Sequence, residues 1–473
     1  MQSSSDQVKE TTRAWPTAVL IAYFAVALAL GGASRGSFEK HALLQALAIC
    51  ILVWRVADPR FPRMTLRTRL PVIGLCLVGV TAILQLVPLP AEVWTHLPGR
   101  EQVSAGFAIV QTPPPPLPLS MTPDATFETL LGILPPLAAF TLACAIDWHR
   151  QPAWILYWLG GVVIISVVVG IAQILTGLNS PFYLHAYTNR GLPVGFFANA
   201  NHQALFLLAC APILAVAGST GGRRAAASGR VVAATLMALG LTAIGVGVAG
   251  SLAGWILSAP VILFCIFTFA RGLPWWSRLL VLVGAIGSAI ALGLLVVSSP
   301  ILSDKGVGLA QGDRGAMTRL ATAETTLSLI SQTFPYGTGL GSFERVYRLQ
   351  EDPLAVDAVF MNHAHNDYLE FVLDAGVAGL VIALMAGVWL ITQTLAVWLT
   401  PRSPEIRLAR ASSISLALIA LHSAVDYPLR TPALACLAAV LAAILCTRLR
   451  SNATNKVGSQ EDAGATPLRR LQL

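Results

Sequence analysis

Residues 362–399 read NHAHNDYLEFVLDAGVAGLVIALMAGVWLITQTLAVWL. The second part, from Gly376 to Leu399, holds no ionisable side chain. A helix crosses a bilayer with roughly 20 mostly apolar residues, so this run reads as a membrane span. The first part is of another kind. It crowds His363, His365, Asp367, Tyr368, Glu370 and Asp374 against the start of that span. Groups that move protons or hold charged ligands are rare at such a boundary unless something uses them.

The rest of the chain repeats the apolar half of this pattern. Its 473 residues are 55% hydrophobic and 11% charged, with a mean hydropathy of +0.69. Soluble domains carry about 25% charged residues. Strands of about 10 alternating residues, the mark of a membrane barrel, are absent. The expectation is an all-α, polytopic membrane protein with about twelve spans. They are placed near 15–33, 41–56, 70–88, 127–146, 152–176, 202–218, 231–249, 251–270, 279–298, 376–399, 408–426 and 431–448. Residues 1–14 and 451–473 read as polar tails. Spans one to nine fill 15–298, a large loop fills 299–375, and spans ten to twelve fill 376–448. The first span has no convincing cleavage site after it and is read as retained.

Orientation follows from Lys and Arg in the loops. With the N-terminus cytoplasmic, about two thirds of the 31 Lys and Arg residues fall on the cytoplasmic side. They include the run Arg55, Arg60, Arg63, Arg67 and Arg69. Both termini are then cytoplasmic, and the net charge of +8 is a topology signal with no bearing on nucleic acid. The seven cysteines all fall in predicted spans, with no metal-binding spacing. The long loops, 89–126 with Pro113 to Pro116, 177–201 and 299–375, lie on the outer side, and that face is the place to look for function.

Four stretches there carry chemistry. In 190–202, RGLPVGFFANANH, Arg190 offers a planar fork suited to phosphate oxygens, and Asn199 or Asn201 can cap the next helix. A plain loop arginine at the headgroup level fits the same residues. In 311–332, Leu320, Ala323, Leu327 and Ile330 recur at helical spacing. Arg314 and Arg319 lie in its first turns, where an anion at the helix N-terminus suits them; a solvated arginine is the alternative. In 336–347, Gly337, Gly339 and Gly341 alternate, as in a phosphate cradle or a tight turn. In the histidine stretch, Asn362 or Asn366 can cap the helix leading to the span, and His365 or His363 can act as a general base. Two histidines two residues apart also suit a metal, but neither HExxH spacing nor a third ligand accompanies them. His422, Asp426 and Arg430, four apart at a span end, read as a bracing ion pair, with Pro428 interrupting the helix.

These stretches, in this order, resemble the O-antigen ligase and polysaccharide polymerase family. The residues that carry the likeness are GFFANANH at 195–202, Asp313-Arg314, GTGLGSF at 337–343, HAHNDYLE at 363–370 with Gly376 and Gly379, and HSAVDYPLR at 422–430. The resemblance spans about 160–445. It implies a GT-C type glycosyltransferase of the bacterial inner membrane, working at the periplasmic face without cofactor or metal. Its implied partners are an undecaprenyl diphosphate-linked glycan donor, a glycan or lipid A-core acceptor, and the lipid bilayer. It implies His365 as catalytic base and Arg190 and Arg314 as donor diphosphate ligands. Asn199, Asn201, His363, Asn366, Asp367, Tyr368, Glu370, Gly339 and Gly341 are support. Many relatives carry Ser-Arg-Gly between the seventh and eighth spans, where this chain has no arginine in Gly250-Ser251-Leu252-Ala253-Gly254. A protein O-oligosaccharyltransferase is a further reading within the family. A twelve-span transporter is the rival outside it. Transporters show internal repeats and polar residues near mid-membrane, neither of which the chain displays.

Overall fold

The computed structural model describes residues 4–35, 38–59, 61–148, 154–219, 225–249, 252–269, 309–351, 361–401 and 406–461. The expected span 279–298 and part of the turn at 250–254 lie outside them. What is described is helical almost throughout. The early helices are α1 (Ser4–Leu30), α2 (Phe38–Ala57), α3 (Leu66–Leu86), the short α4 (Ala91–Trp94) and α5 (Glu101–Ile109), α6 (Pro123–Gly132) and α7 (Leu134–Cys144). Then come α8 (Trp154–Thr176), α9 (Ala200–Ser219), α10 (Ala225–Ala249) and α11 (Leu252–Phe269). The last are α12 (Leu309–Thr333), α13 (Phe343–Arg348), α14 (Asp367–Leu399), α15 (Ile406–His422) and α16 (Pro432–Glu461). The strands among the described residues form a two-residue ladder, Pro88–Leu89 antiparallel to Leu117–Pro118.

Among the described residues, five helical stretches are long and apolar enough to cross a membrane: Phe38–Ala57, Leu66–Leu86, Pro123–Cys144 (α6 and α7 together), Trp158–Thr176 and Asp367–Leu399. Shorter apolar helices run over Trp15–Leu30, Ala200–Val216, Leu236–Gly247, Ala253–Cys265 and Pro432–Cys446. Helix α9 is the hub of the bundle. It packs against α8, α10, α11 and α15, and its side chains from Ala204 to Ala211 are all buried. Small residues let the neighbours close in, so that Ser415 of α15 reaches the Ala209 carbonyl at 2.7 Å.

Several expected boundaries shift. The fourth span is two helices, broken at Ile133 ahead of Pro135 and Pro136, since proline removes a helix N–H and crowds the preceding turn. The eleventh stops at His422, before the expected 426. Helices α1 and α16 extend into the polar tails, because a helix nucleated by an apolar span adds residues at little cost. The expected boundary at 375–376 falls on a kink, where Gly376 leaves helical geometry. Helix α14 begins at Asp367 and continues to Leu399 through a kink at Gly376, with φ 56° and ψ −135°.

One end of the bundle gathers the long loops. The Gly31 carbonyl accepts from Ala433 and the Gly32 carbonyl from Ala198. Gln85 O accepts from Ser120, and Met121 N–H donates to Thr338. Asp367 N–H donates to Ser423 O at 2.8 Å. The segments 31–32, 85–121, 198, 338, 367 and 423–433 thus meet through backbone bonds, and this end holds the functional candidates.

The Gly376 kink lets the chain at Pro335 approach, and Val377 N–H donates to Pro335 O at 2.9 Å. A Cβ on Gly376 would lie 2.0 Å from that oxygen. Gly376→Ala is therefore expected to lower the yield of monodisperse protein in detergent sharply and to depress its thermal midpoint. Gly387→Ala, in the same helix with nothing within 4 Å, is expected to be neutral or slightly stabilising, as alanine exceeds glycine in helix propensity by about 1 kcal/mol.

Candidate active site

The site grows from the short segment between α15 and α16. Residues 423–427 form a turn, and Pro428–Arg430 a single 3-10 turn. This arrangement keeps His422 Nε2 within 3.9 Å of Asp426 but turns Arg430 to the carboxylates of α14. Asp426 and Arg430 do not pair. Each is the centre of its own cluster.

Asp426 is fully buried and collects side chains from distant stretches. Asn201 Nδ2 donates to its Oδ2 at 2.7 Å. His365 Nδ1 lies 3.5 Å from Oδ1 and His202 Nε2 3.7 Å from Oδ1. Arg319 lies 3.7 Å and His422 Nε2 3.9 Å from Oδ2. The next residue, Tyr427, sets the spacing of the imidazoles. Its ring centroid is 4.3 Å from that of His363 and 5.0 Å from those of His202 and His365. Burial, and then the neighbouring Asp426 carboxylate, push the Tyr427 phenol above its ordinary value. It stays a neutral packing platform.

His365 does not sit on a helix. It stands two residues before Asp367, the first residue of α14, in the left-handed region with φ 51°. Asn366 takes the cap, its Oδ1 accepting from Tyr368 N–H at 3.0 Å and Leu369 N–H at 3.1 Å. His365 Nδ1 is buried without a hydrogen-bond partner, while the side chain keeps 20% of its surface exposed. The exposed part of the ring is therefore the part away from Asp426. A carboxylate beside Nδ1 favours the tautomer that carries the proton there and leaves the other nitrogen as acceptor. His363 turns inward instead, its Nδ1 2.8 Å from Glu370 Oε1.

The second cluster is Arg430 among three carboxylates on the first turns of α14. Its guanidinium lies 3.7 Å from Asp367, 3.3 Å from Glu370 and 3.1 Å from Asp374. Burial alone lowers an arginine, but Glu370, Asp374 and Asp367 more than offset it, and Arg430 is held above its ordinary value. Its charge is spent inside the protein. Asp367 Oδ2 also accepts from Ser423 at 2.9 Å and Leu429 N–H at 3.2 Å. Tyr368 turns its hydroxyl to the Ala420 carbonyl.

The glycine turn is a clasp. Thr338 and Gly339 N–H donate to the Leu373 and Asp374 carbonyls. Leu340 N–H donates to Gln85 Oε1 and Gly341 N–H to Asp374 Oδ2. Each of these amides already has a partner, so a phosphate cradle is not what the turn offers. Gly339 and Gly341 have φ 108° and 79°, and a Cβ on Gly339 would strike Ser120 Oγ at 2.2 Å.

The candidate arginines separate. Arg190 is exposed, donating to the Leu178 carbonyl at 3.0 Å with its guanidinium 5.9 Å over Tyr183. It stays within its own loop. The nearby Asn199 accepts from Asn201 N–H at 2.8 Å, in the first turn of α9. The side chain of Arg314 lies outside the described residues. Among the described side chains of α12, Arg319 reaches the histidine cluster. Arg345 pairs with Asp124 on the surface. Among the described residues, no three His, Cys, Asp or Glu side chains form a group suited to a metal ion.

Residues 236–384 match the O-antigen ligase family model. The matched segment carries α12, the glycine clasp and the histidine stretch through the Gly376 kink. Arg190, Asn199 and Asn201 precede it, and Asp426 and Arg430 follow it. The match supports the O-antigen ligase/Wzy-type family, a membrane enzyme class. No curated protein matches the chain.

Sequence reading undervalued three residues. Asp426 was a bracing carboxylate, Gln85 and Gln173 went unremarked. Both glutamines are lone amides in apolar runs, which was the available signal. Gln173 Oε1 accepts from Val194 and Gly195 N–H, both at 2.9 Å, and so sets the 177–199 loop. Gln85 Nε2 donates to the Asp374 carbonyl at 2.9 Å. Gln85→Leu is expected to leave Leu340 N–H unpaired, which costs about 1–3 kcal/mol, and to take one of two donors from the Asp374 carbonyl, which keeps Gly339 N–H. A fall in the unfolding midpoint checks this; an unchanged midpoint means that the clasp does not depend on Gln85.

Proposed function

We propose that this chain moves a glycan from undecaprenyl diphosphate to an acceptor hydroxyl at the periplasmic face of the bacterial inner membrane. The acceptor is a lipid A-core sugar in a ligase or another lipid-linked glycan in a polymerase. Twelve spans with both termini in the cytoplasm would put the loop end of the bundle in the periplasm. The observation that carries the reading is His365 set against buried Asp426, with Arg319 on the other oxygen of the same carboxylate.

In this mechanism the outer nitrogen of His365 takes the proton of the acceptor hydroxyl. The acceptor oxygen attacks the anomeric carbon as the bond to the diphosphate breaks. The sugar carbon inverts, and undecaprenyl diphosphate leaves with its charge. Asp426 holds the imidazole in the accepting tautomer and steadies the imidazolium that forms. Fixed guanidinium groups stabilise the growing phosphate charge without reorganising. Arg319 takes this role alongside Arg190 and Arg314. Arg319 has the geometric support. Arg190 and Arg314 rest on the family likeness.

His365→Ala is expected to lower transfer by about 100- to 10,000-fold, the usual range for a general base, with the protein still monodisperse. His363→Ala is expected to cost less. Transfer is measured with purified protein, lipid-linked donor and acceptor. A dead His363→Ala beside an active His365→Ala would reverse the assignment.

Arg319→Lys keeps the charge but loses the two-pronged fork. It is expected to reduce transfer by about 10- to 100-fold, from a charged hydrogen bond of about 1.5–3 kcal/mol, and to raise the donor concentration needed. Arg345→Lys, at the surface pair, serves as the neutral control. Unchanged donor dependence in Arg319→Lys would return the role to Arg190 and Arg314.

A further inference from the structure

We propose that Glu370 is the positioning residue for His365, acting through the backbone of the 363–366 turn. The inference rests on the reading of His365 as the base. Glu370 lies in the first turn of α14 and is buried, with 1% of its side chain exposed. Its two oxygens do separate work. Oε2 accepts from Ala364 N–H at 2.8 Å. Oε1 faces His363 Nδ1 at 2.8 Å and Arg430 Nη1 at 3.3 Å.

Ala364 is the residue directly before His365, so Glu370 fixes the turn on its leading side. Asn366 fixes the trailing side, capping α14 and donating from its amide to the Ala424 carbonyl at 3.0 Å. Between them His365 holds φ 51°. A residue with a Cβ keeps such a backbone only when its surroundings over-determine it. Here the two flanking anchors do so, and they aim the ring at Asp426.

The carboxylate is specific to the task. Donors approach from two directions, and a carboxylate is an acceptor on both oxygens. An amide at this position would turn its NH₂ toward Ala364 N–H or toward Arg430. An aspartate keeps the charge but falls one methylene short of spanning both. Glutamine and aspartate are therefore expected to fail alike, which a role in charge balance alone would not produce.

The test uses the full chain, purified, with lipid-linked donor and acceptor. Glu370→Gln and Glu370→Asp are made alone and in the His365→Ala background. Each single variant is expected to lose about 100-fold in kcat, the scale of an ångström's misplacement. Both KM values should stay within about twofold. In the His365→Ala background neither should cause further loss, since residues acting as one unit are not additive. Asn366→Ala, which loosens the other side of the turn, is expected to give the same kcat-only loss, and it decides the matter should the Glu370 variants fail to fold. A wild-type kcat in the folded variants would overturn the proposal. So would a raised KM with kcat intact, or a full further loss on top of His365→Ala. Wild-type transfer by His365→Ala itself would instead overturn the base assignment, which that single variant reads separately.

Discussion

A carboxylate shut away from water is costly unless donors surround it, and the loop end of this bundle is arranged around one. Asp426 receives an amide from the start of α9, imidazoles from α9, α15 and the 363–366 turn, and a guanidinium from α12. Those groups come from stretches more than 200 residues apart in sequence. Satisfying one buried charge therefore brings the chain's scattered polar residues to a single place. The imidazole that keeps a partly open face is that of His365, and the guanidinium that keeps one is that of Arg319.

The second cluster supplies the frame. Arg430 draws Asp367, Glu370 and Asp374 to one side of α14. Through them it ties the 423–430 segment to the first turns of the helix. Asp374 passes the connection to the glycine clasp, and Gln85 passes it on to the end of α3. One ionic network thus joins four elements. It explains why so many charged residues sit at the start of an apolar helix: they hold the site together, and few of them face a ligand.

Much of this could be read from the sequence and some of it could not. The helical, membrane-spanning character was plain in the apolar runs, and the histidine stretch stood out because charge is rare beside a span. The cap by Asn366 followed from residue type. What failed was the assumption that neighbours at helical spacing share a helix. His365 lies before the cap, and the segment containing Asp426 and Arg430 leaves the helix at His422. Spacing alone cannot reveal a backbone in the left-handed region. The glycine run left two readings open. Alternating glycines suit a phosphate cradle and a tight clasp equally, and only the partners of their amides distinguish the two. The reach of Arg319 to the cluster was not legible on the α12 pattern, since it depends on where α12 packs against α14.

Asp426 also provides the most direct test. Asp426→Asn preserves shape but can present an NH₂ group to His365 Nδ1, favouring the tautomer that cannot accept the acceptor's proton. The decisive measurement is the single-turnover transfer rate of purified Asp426→Asn protein with saturating lipid-linked donor. The account expects a fall of order 1,000- to 10,000-fold, as for the equivalent change in a hydrolase triad, with the protein folded and donor binding retained. A rate close to that of the unaltered protein would contradict it, and would leave the buried carboxylate as a brace between helices with no part in the chemistry.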